Sequence, residues 1–150
     1  MRIWSWLTGA GTKAAEEPSA QEDRPIPLQG DGSFAFQIVG ESHYQPQLRY
    51  LALGHDPGDG ADQLCEAVLV CEDWNPHDSN AVKIDIREYT IGYLSRPQAV
   101  EYRKALLAIG CRGRATVCAA RIVGGWDRGD RGQGQYGVRL DLVWPVRRRA

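Results

Sequence analysis

Residues 72–84 read EDWNPHDSNAVKI, and this stretch decides the fold. From Asp73 to Ala81 it crowds Asn, Pro, Asp and Ser. Proline presets φ, and Asn and Asp side chains bond the backbone two residues on, so the segment predicts an elaborate turn. The run AVKIDIRE, 81–88, then alternates Val82, Ile84 and Ile86 with Lys83, Asp85 and Arg87. Period two is the mark of a half-buried strand. TIGYLS, 90–95, follows after a tight connection, so the two runs predict a β-hairpin.

The pattern extends outward from there. CEAVLVCE (65–72), RATVCAARIVGGW (114–126) and YGVRLDLVW (136–144) read as strands, as does FAFQIVG (34–40), which Gly40 ends. Gln47–Leu53 has helical spacing and predicts one or two turns. A longer helix should start at Ser95, a good N-cap, with Pro97 in its first turn and Gln98 three residues past the cap. Its apolar stripe is Val100, Tyr102, Ala105, Leu106 and Ile109, and Gly110 closes it. HDPGDGAD (55–62) and DRGDRGQGQ (127–135) read as loops. The order β, short α, β, ββ, α, ββ predicts a mainly β fold. It would be a small, partly open barrel of about six strands with one main helix and one short helix, an architecture that hides sheet edges.

A chain of 150 residues fits one domain with a modest core. Residues 34–144 are read as that domain, 1–33 as a flexible N-terminal segment and 145–150 as a basic tail. Within the first segment, Ile3, Trp4, Trp6 and Leu7 form an apolar cluster, which gives residues 1–33 a role as a docking segment for a protein partner or leaves them as a frayed end. No apolar stretch approaches the roughly 18 residues of a membrane span, so no membrane partner is expected. The start, MRIWSWLTGAG, lacks a secretory h-region and cleavage site, and the default compartment is the cytoplasm. The four cysteines, Cys65, Cys71, Cys111 and Cys118, form no CxxC pair. They read as buried free thiols, with no metal and no cofactor expected. The net charge of −1 hides a split. Residues 1–95 carry 6 basic and 15 acidic side chains, net −9, and residues 96–150 carry 12 and 4, net +8. Such asymmetry points either to a polyanionic partner or to mutual attraction of the two halves.

Three segments together resemble the HIRAN family: IVGESHYQ (38–45), EDWNPHDSNAVKI (72–84) and IGYLSRPQAVEY (91–102). GGW (124–126) and YGVRLDL (136–142) support them, and the resemblance covers about 110 of the 150 residues. It implies an OB-like barrel. In eukaryotic fork-remodelling ATPases such a domain captures the 3′ end of single-stranded DNA, whereas bacterial proteins often carry it alone. This chain looks like the second kind, because it has no GxxxxGK[ST] motif. By the same resemblance, His43 and Tyr44 would stack bases, Tyr93 would line the groove, and the Asp78 carboxylate would accept from the terminal 3′-hydroxyl. Ser42, His77 and Arg96 would flank that groove, while Gly40, Asn75, Pro76 and Asn80 would organise its loops.

Two features hold other readings open. DNA-binding eukaryotic members carry Arg and Tyr where this chain has Ser42 and His43, and Glu41 adds a negative charge. Arg96, Arg49, or Arg128 and Arg131, would then have to supply the phosphate contacts. Asn75, Asp78 and Asn80 also suit a purely loop-organising role, and Tyr44 and Tyr93 suit a barrel core. The function expected is therefore binding of single-stranded DNA or its 3′-hydroxyl end, with a non-catalytic protein-interaction domain as the alternative. An enzyme is not expected. Ser42, His43, His77 and Asp78 contain nucleophile, base and acid types, but no GxSxG elbow is present.

Overall fold

A computed structural model describes residues 24–150. The apolar cluster Ile3–Leu7 lies outside the described residues. The elements are β1 (Ile26–Pro27), β2 (Phe36–Gln37), a 3-10 turn (Glu41–Tyr44), α1 (Gln45–Leu51), β3 (Ala61–Cys71), β4 (Val82–Ile86), β5 (Tyr89–Tyr93), α2 (Arg96–Ala108), β6 (Thr116–Gly124), a second 3-10 turn (Gly129–Arg131) and β7 (Tyr136–Leu140). One curled sheet takes the order β2-β7-β6-β3-β4-β5, antiparallel at every step, and β1 adds to β6 in parallel. The fold is mainly β, a small partly open OB-like barrel with two helices, as the residue pattern predicts.

The sheet curls because β3 serves two partners. Its residues Ala61–Leu69 pair with β6, while Val68–Cys71 pair with β4. The free edges of the curl then meet at one point. Gln37 still pairs with Arg139 of β7, yet Val39, two residues on, pairs with Tyr93 of β5. The two backbones exchange N–H···O bonds of 2.9 Å in both directions. Gly92 makes this approach possible. A Cβ there would lie 2.7 Å from Ile38 Cδ1 and 2.9 Å from the Val39 carbonyl oxygen.

One core fills the curl. Leu48 and Leu51 reach it from α1, and Ala99, Tyr102 and Leu106 from α2. Leu69, Ile84, Ile86, Ile91, Ile122 and Leu140 supply the sheet side. Each such aliphatic residue contributes about 1.5–3 kcal/mol when fully buried. The buried Tyr102 hydroxyl shares a 2.6 Å hydrogen bond with Thr116 Oγ1, which satisfies both. α2 begins as predicted: Ser95 Oγ accepts from the Gln98 N–H at 3.3 Å, and Gln98 Oε1 accepts from the Ser95 N–H at 3.0 Å.

The structure corrects three expectations. The segment 24–33 is packed, not flexible. Ile26 and Leu28 are buried, their N–H groups donate to Ala115 and Val117, and Asp141 Oδ1 accepts from the N–H groups of Asp31 and Gly32. The tail 145–150 is tied to the same segment, with Val146 buried and the Arg149 N–H donating to Pro27. The ordered domain therefore exceeds 34–144 at both ends, and β1 raises the strand count to seven. Finally, β2 is only two residues long, because the chain leaves β7 to reach β5.

Replacing Gly92 by Ala should cost about 1–3 kcal/mol, since the backbone oxygen of Val39 cannot rotate away as a side chain would. Urea unfolding should show a lower midpoint with an unchanged slope.

Candidate nucleic-acid interface

The sheet closure positions the first part of the site. Gly40 takes a left-handed conformation (φ 85°) directly after Val39 and turns the chain into the 3-10 turn that carries Ser42, His43 and Tyr44. Ser42 and His43 are exposed, and Tyr44 is half-buried. Tyr93, at the other side of the bridge, is half-buried as well. Burial first, then the Glu72 carboxylate and the Tyr44 hydroxyl beside it, push the Tyr93 phenol far above its ordinary range.

Glu72 links these rings to the acidic turn. It is the buried acid of the described core, only 4% exposed. Its N–H donates to Ala81 at 2.8 Å, and its Oε1 accepts from Asn75 Nδ2 at 3.2 Å. Asn75 is the hub of the turn. Its Oδ1 accepts from the N–H groups of His77 (2.9 Å) and Asp78 (3.2 Å). Asp78 Oδ1 in turn accepts from the Asn80 N–H at 2.9 Å. Among the described residues, the second carboxylate oxygen of Asp78 makes no hydrogen bond. One oxygen therefore builds the turn and the other is left as an acceptor. Pro76, His77 and Asn80 are exposed around it.

Arg103 is the positioning residue that the sequence did not disclose. From α2, its Nε donates to the Asn80 carbonyl (2.8 Å), one terminal nitrogen to the Ala81 carbonyl (3.0 Å) and the other to Asp73 Oδ1 (2.6 Å). This fork clamps both ends of the turn to the helix. An Arg on a helix flank otherwise reads as a solvated charge, so no local signal marks it.

The structure thus brings together Tyr44, Tyr93, Glu72, Asn75 and Asp78, with Ser42 and His43 exposed on the same 3-10 turn. Arg96 is exposed at the first position of α2, three residues past Tyr93. Arg49 and Arg128 gather elsewhere, around Trp126: Arg49 shares a cavity with it, and Arg128 stacks on its ring at 4.6 Å. Among the described residues, neither the Ser42 hydroxyl nor the rings of His43 and His77 make a hydrogen bond, so no nucleophile–base pair is preformed there. The described residues also include no cluster of three or more His, Cys, Asp or Glu that could hold a metal. All four cysteines are free, and burial pushes the Cys118 thiol up to about 12. Among the described residues, no helix is long and apolar enough to cross a membrane.

Two cavities, of about 710 and 350 Å3, are lined by other residues than those of the candidate site. Comparison with protein-family models, curated proteins and solved structures gives no match.

Two outcomes check this geometry. Arg103→Lys should fail to restore what Arg103→Ala loses, because an ammonium cannot span three acceptors in a fork. Both should lower stability by about 1–3 kcal/mol in urea unfolding. Alkaline titration at 295 nm should show two of the six tyrosines ionising late, since burial also raises Tyr102. A folded-state phenol raised above its unfolded value of about 10 stabilises the fold fully below that pH. That stability is lost as pH climbs beyond it, so the urea midpoint should fall as pH is raised above that value.

Proposed function

We propose that this chain binds single-stranded DNA, with the 3′-hydroxyl at Asp78 and the last bases against His43, Tyr44 and Tyr93. The supporting observation is that three segments distant in sequence meet: Val39 pairs with Tyr93 beside the 3-10 turn, β5 pairs with β4 and β4 with the end of β3, and Asn75 ties the Glu72 that follows β3 to Asp78. This reading carries the HIRAN resemblance into function, because those are the segments that resemblance rests on.

The chemistry follows from the side chains. Stacking on aromatic or imidazole rings contributes about 1–3 kcal/mol per base and accepts any sequence. An ionised Asp78 accepts from a terminal hydroxyl and repels a terminal phosphate. Arg103 is engaged by the turn itself and Arg96 is the exposed cation that follows Tyr93, so few counterions are released on binding. Affinity should be modest, with a shallow salt dependence.

Anisotropy with labelled strands at low salt tests this reading. The 3′-hydroxyl strand should bind about tenfold more tightly than its 3′-phosphate form, a difference of about 1.4 kcal/mol. Asp78→Asn keeps an oxygen for the turn but removes the charge, and it should narrow that gap. Equal affinities in the wild type would remove end capture.

A second reading, a docking surface for a protein, has one observation in its favour. Tyr50, Leu53 and Leu64 are exposed by 60–70%, and the Tyr50 and Tyr89 rings pack against each other at a tilt, 5.7 Å between centroids, on the surface.

A further inference from the structure

α1, the loop after it and the loop before β7 enclose the 710 Å3 cavity, which the strand-end reading does not use. Such a volume is typical of small-molecule sites, which span about 300–1,000 Å3. Its lining includes Arg49, His55, Trp126, Gln135 and Tyr136. Two glycines build its walls. A Cβ on Gly134 would collide with the Trp126 indole, and a Cβ on Gly125 with the Tyr136 ring, so both aromatics press against bare backbone. Gln45 from α1 holds the same wall: its Oε1 accepts from the Tyr136 N–H at 2.8 Å, and its Nε2 donates to the Tyr136 carbonyl at 2.9 Å.

His55 Nδ1 faces the Asp56 carbonyl at 3.0 Å, which can only accept, so that nitrogen carries the proton. In the neutral ring, Nε2 then accepts from the Tyr136 hydroxyl at 2.9 Å. Asp127 also lines the space, but its oxygens are engaged by the Gly129 N–H (2.9 Å) and Gln133 Nε2 (3.3 Å). Arg128 stacks on Trp126 without lining the cavity, so it supports the ring from outside. What is left over among the described residues is an exposed Arg49 guanidinium with no ion pair, the Gln135 amide, the Gln133 side-chain oxygen and the indole of Trp126.

We propose that this cavity binds a nucleotide, its base against Trp126, its base edge on the Gln135 amide and its phosphate on Arg49. A wholly apolar ligand would leave the amide and the guanidinium without partners. A bare anion would use Arg49 and nothing else. A flat heterocycle carrying an anion uses the guanidinium, the Gln135 amide and the indole together. A free mononucleotide and one nucleotide of a longer strand share this chemistry.

Two-dimensional NMR on the full chain tests it, with adenosine monophosphate, adenosine, inorganic phosphate and a hexadeoxyadenylate as probes. The monophosphate should shift the Trp126 indole N–H and the amides of Gly125 and Gly134. Arg49→Gln should weaken it about tenfold while leaving adenosine unchanged. Trp126→Phe, which keeps a ring in the wall, should weaken both. If Arg49→Gln also weakens the oligonucleotide, the occupant is part of a strand; if it weakens only the monophosphate, the occupant is free nucleotide, and either supports the site. Asp78→Asn should leave monophosphate binding at wild-type strength, so failure of end capture and failure of this site are read separately. No shift at several millimolar monophosphate, or equal affinity in Arg49→Gln, would overturn the proposal.

Discussion

The two hydrogen bonds between Val39 and Tyr93 are the constraint on which the molecule depends. A curled sheet has two free edges, and unpaired edges invite aggregation. Here the chain abandons β7 after Gln37 and crosses to β5 within two residues. The crossing is permitted by a missing side chain at Gly92 and redirected by the left-handed Gly40. It joins the edges at one point, and it delivers the 3-10 turn of His43 and Tyr44 to the strand that ends in Tyr93. Closure of the fold and assembly of the candidate face are thus one event.

The second element is a buried carboxylate. Burying an acid is costly unless its oxygens find donors. Glu72 finds the Asn75 amide and lies beside the Tyr93 phenol. Arg103 closes the turn from the helix side, donating to the Asn80 carbonyl and sharing the Ala81 carbonyl with the Glu72 N–H. The turn that carries Asp78 is thus held by side-chain hydrogen bonds from within and from α2.

Much of this was legible in the residues. Alternation at Val82, Ile84 and Ile86 marked β4, and the Ser95–Gln98 pair marked the start of α2. The turn residues Asn75, Asp78 and Asn80 announced their own hydrogen bonds. Other features left no local trace. β3 begins at Ala61, four residues before the apolar run, because small buried Ala61 and exposed Leu64 disguise its period. β1 holds two residues whose strand character comes only from the β6 edge they join. Arg103, Gly92 and the Trp126 cavity arise from long-range contacts, which periodicity does not record. Arg49 and Arg128 looked like phosphate contacts for the strand end until the fold placed them around Trp126.

Amide hydrogen exchange, with and without a short 3′-hydroxyl single strand, tests most directly whether one closure builds one face. The amides of Val39 and Tyr93 close the sheet, and those of His77 and Asp78 are held by Asn75. If the face is a single unit, a bound strand should slow all four together, by a factor that rises with strand concentration. Saturating binding that leaves the Val39 and Tyr93 amides unchanged, or protects residues far from the Asp78 turn instead, would contradict the account.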